Sequence, residues 1–183
     1  MNKDLILTVN NEIRLLTRDY KYAEDIVYLI NKNKSFLKKT LGWIPKGEYT
    51  IEDAKNYIKN TTFDEKFDFV KDFVIEYRGE IVGVIDLHEP ENNEINIGYW
   101  LDEDKQGNGI ITKSCKTLLK YAFENLPYDK INIFCNVKNV KSENVAKRLG
   151  MKFECIVENR ENLSGVWVDH KKYSVVKSEF VIY

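Results

Sequence analysis

The chain has 183 residues, 43% apolar and 31% charged, with 28 Lys and Arg against 29 Asp and Glu, a formal net charge of -1. That length can bury a core without metals or disulfides, so a single domain spanning residues 1–183 is expected. The cancelled charge excludes a broad basic field for nucleic acid or anionic lipid and leaves room only for a local anion site.

No apolar run approaches the roughly 18 residues of a membrane span, and the start MNKDLILTVNNEIRL is too short and polar for a secretory signal. A cytoplasmic protein that does not engage a membrane is expected. Cys115, Cys135 and Cys155 are an odd set without CxxC spacing. They argue against a disulfide framework and against a zinc site, and no metal is expected. Each fits an apolar position of its element, as an inert core thiol would.

In chain order, Leu5, Leu7 and Val9 alternate, as do Ile13 and Leu15, which predicts a strand pair around Asn10-Asn11. Thr17 is the candidate cap of a helix whose buried face is Ala23, Ile26, Val27 and Ile30. FLKKTLGWIP reads as a short helical turn ended by Gly42 and Pro45, and Thr50 with Asp53 resembles a capping box opening a helix through Ile51, Ala54, Tyr57 and Ile58. Three strand signals follow: DFVIEY, EIVGVIDL after an Arg78-Gly79 turn, and EINIGYWL after a polar EPENN loop. They predict an antiparallel meander. Gly98 inside its last strand predicts a bulge or a close backbone approach.

The period then changes to helical for Ile111, Cys115, Leu118, Leu119 and Ala122, and back to alternation for Ile131, Ile133, Cys135 and Val137. Strand, helix, strand implies a parallel crossover. SENVAKRLG is a short helix that Gly150 can end in the left-handed conformation, and strands are expected near Phe153–Val157 and Trp167–Val176. The predicted fold is α/β: a mixed, mostly antiparallel sheet with one central parallel crossover and helices on both faces.

Between the meander and the crossover helix stands Gln106-Gly107-Asn108-Gly109. The glycines free the backbone to turn its amides outward, and the following helix aims its first unpaired N–H groups at the same place, which suits an anion. A P-loop would need Lys and Ser/Thr where Ile110 and Ile111 stand, and a dinucleotide fingerprint would need glycine at Thr112. A strand splayed at Gly98 would leave Tyr99, Trp100 and Leu101 with unpaired backbone groups for an extended amide-bearing ligand. A molecule with amides at one end and a pyrophosphate at the other fits both features, and coenzyme A is the candidate.

INIGYWLDEDKQGNGIITKSCKTLLKYAF and CNVKNVKSENVAKRLGMKFE resemble the acyl-CoA-binding core of the GNAT N-acetyltransferases, in particular the RimL-type branch, which acetylates ribosomal-protein N-termini. The likeness runs from IRLLTRDYKYAEDIVYLIN to VDHKKYSVV. It implies that Gln106, Gly107, Asn108, Gly109, Ile110, Ile111 and Thr112 hold the pyrophosphate of acetyl-CoA. Ile111 departs from the glycine or alanine usual at its place. The resemblance also implies that Asn139 and Ser142 lie near the pantetheine arm and the thioester sulfur.

Acetyl transfer to an amine needs a neutral amine, donors for the oxyanion and help for the departing thiolate. Amides near Trp100 and Leu101 suit the carbonyl, and the Ser142 hydroxyl suits the sulfur. At pH 7 an α-amine costs about 1 kcal/mol to neutralise and a lysine about 4.6 kcal/mol, which favours an α-amine acceptor. Asn96 stands where the RimL-like pattern often has glutamate, so the proton relay is assigned to water or to Glu94, one pleat earlier. Trp43, His88 and Asn96 are placed on the acceptor side. Plainer roles compete for several of these: a helix cap for Ser142, a turn for Asn139, a solvated charge for Glu94, core packing for Tyr99, Trp100 and Trp43, and a structural or surface role for both His88 and His170.

The expected function is therefore direct transfer of acetyl from acetyl-CoA to a primary amine, with a protein N-terminus as acceptor and a homodimer as one allowed assembly. The alternatives are a small-molecule amine acceptor (polyamine, aminoglycoside or metabolite) and a non-catalytic acyl-CoA sensor.

Overall fold

The computed structural model describes residues 4–61, 63–64 and 69–180. Strands β1 (Ile6–Thr8) and β2 (Ile13–Thr17) pair antiparallel across Asn10, whose side-chain oxygen accepts the Glu12 and Ile13 amides, each at 2.9 Å. Helices α1 (Ala23–Lys32), α2 (Lys34–Leu37) and α3 (Ile51–Thr61) follow. Thr17 is not the cap of α1. It ends β2, where its hydroxyl accepts from the Leu5 amide at 2.8 Å, and Asp19 caps the short 3-10 turn leading into α1. The box at α3 forms as expected: the Thr50 amide donates to Asp53 at 2.8 Å and the Asp53 amide to Thr50 Oγ1 at 3.2 Å. A two-stranded ribbon of β3 (Phe63–Asp64) and β4 (Phe69–Val70), which the sequence pattern does not announce, comes next.

The meander is β5 (Asp72–Tyr77), β6 (Glu80–Glu91) and β7 (Glu94–Leu101). Its hairpins turn on Arg78-Gly79 and Asn92-Asn93, both residues of each pair having positive φ, the geometry that matches strand twist. EPENN is therefore not a loop: β6 runs on through Glu91 and only Asn92-Asn93 turn. Gly98 is not a bulge either, since it pairs regularly with Asp86; the irregularities in β6 sit at Val82, between the pairs Ile75–Gly83 and Glu76–Ile81, and between His88 and Glu91.

The chain continues through α4 (Ile110–Asn125), β8 (Lys130–Asn136), α5 (Val140–Arg148), β9 (Lys152–Leu163) and β10 (Val166–Val176). Gly150, at φ +75°, ends α5 with the Met151 amide on the Ala146 carbonyl and its own amide on that of Lys147, both at 3.1 Å, a Schellman ending. One sheet collects eight strands in the order β1-β2-β5-β6-β7-β8-β10-β9, every neighbouring pair antiparallel except β7 and β8.

Alternate strand residues feed separate cores. Phe73, Ile75, Ile97 and Ile133 pack with Cys115, Leu118 and Leu119 of α4, whereas Val74, Val84 and Trp100 pack with Ile26 and Ile30 of α1 and Ala54 of α3. Helices thus cover both faces, and burying a side chain such as Ile26 contributes roughly 1.5–3 kcal/mol. Cys115 and Cys135 are core residues, and burial pushes the Cys135 thiol up to about 11. Cys155 departs from the expected core position: it is exposed on β9, at the sheet edge. Among the described residues no helix is long and apolar enough to cross a membrane, and no cluster of three or more His, Cys, Asp or Glu is placed to hold a metal.

Candidate active site

Three ladder pairs alone join β7 to β8: Glu94–Lys130, Ile95–Ile131 and Asn96–Asn132. Beyond Asn96 the strands part, each keeping its outer neighbour, β6 for Ile97–Leu101 and β10 for Ile133–Asn136. Their inner edges line a cleft of about 1410 Å³ that reaches both sheet faces. The vertex is clasped by polar side chains: the Asn132 amide donates to Asn96 Oδ1 at 3.2 Å and to Glu94 Oε2 at 3.0 Å.

On the α4 face the cleft meets the glycine corner. Gly107 and Gly109 sit at φ +81° and +71°, where an L side chain costs about 1–2 kcal/mol. Gly109 caps α4 by main chain alone, and the Lys113 amide makes the first helical bond to the Gly109 carbonyl, 3.0 Å away. The amides of Ile110, Ile111 and Thr112 thus belong to the orphan donors of the first turn, where an anion gains roughly 0.3–1 kcal/mol, or ~2 when partly buried. Ile111 is half-buried and packs against the α4 core, so the helical period rather than the loop sets its direction. Asn108 does not line the cleft. Its side-chain amide donates to the Lys105 and Gln106 carbonyls at 3.0 and 3.2 Å and braces the corner from behind.

Lys113, Lys141 and Arg148 also line this end, a local basic patch invisible in the net charge. Lys141 Nζ donates to Gln106 Oε1 at 2.6 Å, tying the corner to α5. Asn139, not Ser142, caps α5: Asn139 Oδ1 accepts the Ser142 amide at 3.1 Å. The Ser142 hydroxyl is thereby free of capping, and it lies 2.7 Å from the Tyr99 hydroxyl across the gap between β7 and α5. Burial raises the Tyr99 phenol and keeps it protonated, so it can donate to Ser142 while Ser142 donates onward.

The other face carries Trp43 and a group of buried charges. Trp43 is 42% exposed and stacks on Tyr57 at 5.6 Å, and Tyr57 lies under the Arg18 guanidinium at 3.8 Å. Arg18 pairs with Asp72 at 2.9 Å, both buried. Burial drives Asp72 up to about 7 against the pull of Arg18. His88 Nδ1 stands 2.6 Å from Asp86 Oδ1. Glu161 accepts the Gly42 amide at 2.7 Å and faces His170 Nε2 at 3.3 Å, which brings the β9–β10 hairpin over this end.

Of the residues expected at the site, Tyr99, Trp100, Leu101, Gln106, Gly107, Gly109, Ile110, Ile111, Thr112, Asn139, Ser142, Trp43 and His88 line the cleft; Asn108, Asn96 and Glu94 do not. Asn96 is buried in the vertex, where its amide donates to Glu89 at 3.0 Å. Glu94 is ion-paired with Lys130 at 3.1 Å and Lys172 at 3.0 Å at the closed end of the gap. Burial would raise its pKa, but Asn132, Lys172 and Lys130 hold it below the usual carboxylate range. This geometry does not suit it to relay a proton at the cleft. Residues missed at the sequence level are Arg18, Asp72, Asp86, Arg160 and Glu161. Only the Asp86-x-His88 spacing on one strand face was readable, since the others come together through strands distant in sequence.

A sheet opened between a parallel strand pair, beside a main-chain anion corner at the start of the crossover helix, is the acyl-CoA-binding arrangement of an acetyltransferase. The chain belongs to the GNAT acetyltransferase family, whose domain model matches residues 12–152. It is an acetyl-CoA-dependent N-acetyltransferase. It is 29% identical over 170 residues to the ribosomal-protein-serine acetyltransferase of Escherichia coli (strain K12), covering 92% of this chain and 94% of that one. The RimL ribosomal L7/L12 α-N-protein acetyltransferase in complex with coenzyme A superposes with a TM-score of 0.86 at 27% identity, over 94% of this chain and 98% of that one. The microcin C7 self-immunity acetyltransferase MccE, in complex with acetyl-CoA and AMP, gives 0.84 at 34% identity, over 93% and 98%.

Proposed function

We propose that the acceptor is the α-amine of a protein N-terminus, of the kind named for the E. coli and RimL relatives. The observation that carries the reading is the cleft itself. It opens on both faces of the sheet, so a cosubstrate entering from the α4 side and an amine entering from the Trp43 side meet at the β7–β8 gap. The residues suit acetyl-CoA. A Cβ on Gly107 would meet nothing within 4 Å and one on Gly109 only Lys113 Cε at 3.7 Å, leaving room at the corner for a pyrophosphate. The free edge of β7 can bond the amides of the pantetheine arm as a neighbouring strand would.

When bound, acetyl-CoA supplies the activated acetyl group. The corner amides with Lys113, Lys141 and Arg148 hold its phosphates, main-chain amides of the free β7 edge polarise the carbonyl, and Ser142, backed by Tyr99, protonates the departing sulfur. An α-amine, costing about 1 kcal/mol to neutralise against about 4.6 kcal/mol for lysine, asks the least of this site. A cytoplasmic setting agrees with such an acceptor.

A second reading is a small amine carrying a planar group. The half-exposed Trp43–Tyr57 stack favours it, together with the AMP in the immunity acetyltransferase complex. Thiol release from acetyl-CoA is to be followed against peptides with free N-terminal serine or alanine, Nα-blocked lysine peptides and small amines. Faster turnover of the free N-termini supports the first reading. Preference for lysine side chains overturns it, and preference for a small amine carrying a planar group supports the second.

A further inference from the structure

On the acceptor face, β6 presents Asp86 and His88 two residues apart, hence on the same side of the strand. Opposite them β7 places Gly98, the second residue past the last β7–β8 pair. A Cβ on Gly98 would stand 2.9 Å from both Asp86 Oδ1 and His88 Cε1. The missing side chain is the space the pair occupies. The imidazole therefore leans on the β7 main chain where the strands begin to part. It lines the cleft with its side chain 42% exposed, whereas that of Asp86 is 17% exposed.

Resting on the N-acetyltransferase reading with an amine entering from this face, we infer that His88 is the general base of the transfer and Asp86 the residue that orients it. Asp86, an acceptor as carboxylate, fixes the proton on Nδ1, 2.6 Å away, and leaves the Nε2 lone pair to take a proton from the incoming ammonium. The neutral amine then forms its C–N bond to the acetyl carbon as the C–S bond breaks. The sulfur takes a proton from the Ser142 hydroxyl, the second proton that the nitrogen sheds on becoming an amide passes through water to the Ser142 oxygen, and His88 returns its own proton to water.

The charged groups around the imidazole are Asp86 and Glu89 on its own strand, Asp72 on β5 with its neighbours Lys71 and Arg18, and Arg160 on β9. Burial and Arg160 lower the imidazole pKa, and Asp86 and Glu89 raise it by more. The net rise brings the base toward the α-amine value near 8, where proton transfer is best matched. Glu161 is a poorer base by geometry, because one oxygen is held by the Gly42 amide and the other faces His170.

The test is kcat against pH at saturating acetyl-CoA and acceptor, for wild type, His88→Gln and Asp86→Asn, with coenzyme A affinity by calorimetry. The acceptor is an N-terminal peptide, or the best amine of the panel if peptides are not turned over, so that failure of the acceptor reading leaves this test intact. The expected result is a wild-type acid limb, a fall of about 10²-fold or more in kcat for His88→Gln with that limb erased, and coenzyme A affinity within twofold of wild type. Asp86→Asn should move the limb to lower pH, because the carboxylate that raises the imidazole is gone. Wild-type kcat in His88→Gln, or a fall in both variants with the acid limb unmoved, overturns the assignment.

Discussion

The Tyr99 hydroxyl lies 2.7 Å from that of Ser142, linking the free edge of β7 to the first turn of α5 across the gap. The contact joins β7, beyond its last pair with β8, to α5. Asn139 caps α5, so the Ser142 hydroxyl takes no part in the cap. Ser142→Ala should lower kcat about 10- to 100-fold and coenzyme A affinity less than threefold, Tyr99→Phe should lower kcat by less, and the double variant should fall short of the summed effects. Steady-state kinetics beside calorimetry decides this; equal loss of kcat and affinity would leave the hydroxyl a binding role only.

Two strand glycines separate stability from activity. A Cβ on Gly83 would stand 2.3 Å from the Trp100 carbonyl oxygen, a backbone atom in a paired strand, so Gly83→Ala should cost about 1–3 kcal/mol in urea unfolding. On Gly98 the atoms met are the ends of Asp86 and His88, which can swing away. Gly98→Ala should therefore lose activity with a smaller loss of stability.

How much of this was legible beforehand differs by element. The meander, crossover helix and β8 follow from unbroken periodicity, as does the Thr50–Asp53 box. Thr17 failed as a cap because its hydroxyl found Leu5 on the adjacent strand, a partner 12 residues away that local pattern does not contain. Glycines 107 and 109 announced the corner because only backbone freedom explains them. Glu94 misled because strand alternation gives a face but not a position along the gap, and it stands on the paired side of the vertex. The Trp43 end of the cleft was least readable: Arg18, Asp72, Asp86 and Glu161 come from β5, β6, β9 and the segment after β2, and no spacing joins them.

The buried Arg18–Asp72 pair should be unforgiving of half-removal. Arg18→Met leaves Asp72, 3% exposed, without its counter-charge and should destabilise by about 3–5 kcal/mol, while exchanging both for apolar residues should cost much less. A double-mutant cycle in urea gives the comparison.

Acid should loosen α5. Hydrogen bonds from Lys147, Lys171 and Tyr173 lower Glu143 to about 2, against about 4.3 for an unfolded glutamate. A depressed folded value contributes stability that is present above the unfolded pKa and is lost as pH falls through the folded one, so the window is roughly pH 4.3 down to 2. Glu143→Gln should flatten the stability profile across that window and leave its slope near pH 7 unchanged.

Three residue pairs are a narrow isthmus between the two parts of an eight-stranded sheet. Whatever lies in the opening becomes a tie-beam between them, so departure of spent coenzyme means undoing a temporary strand as well as leaving a phosphate seat. Letting go is then an event of its own: stopped-flow displacement of bound coenzyme A should give a dissociation rate that His88→Gln leaves unchanged while it slows the transfer itself.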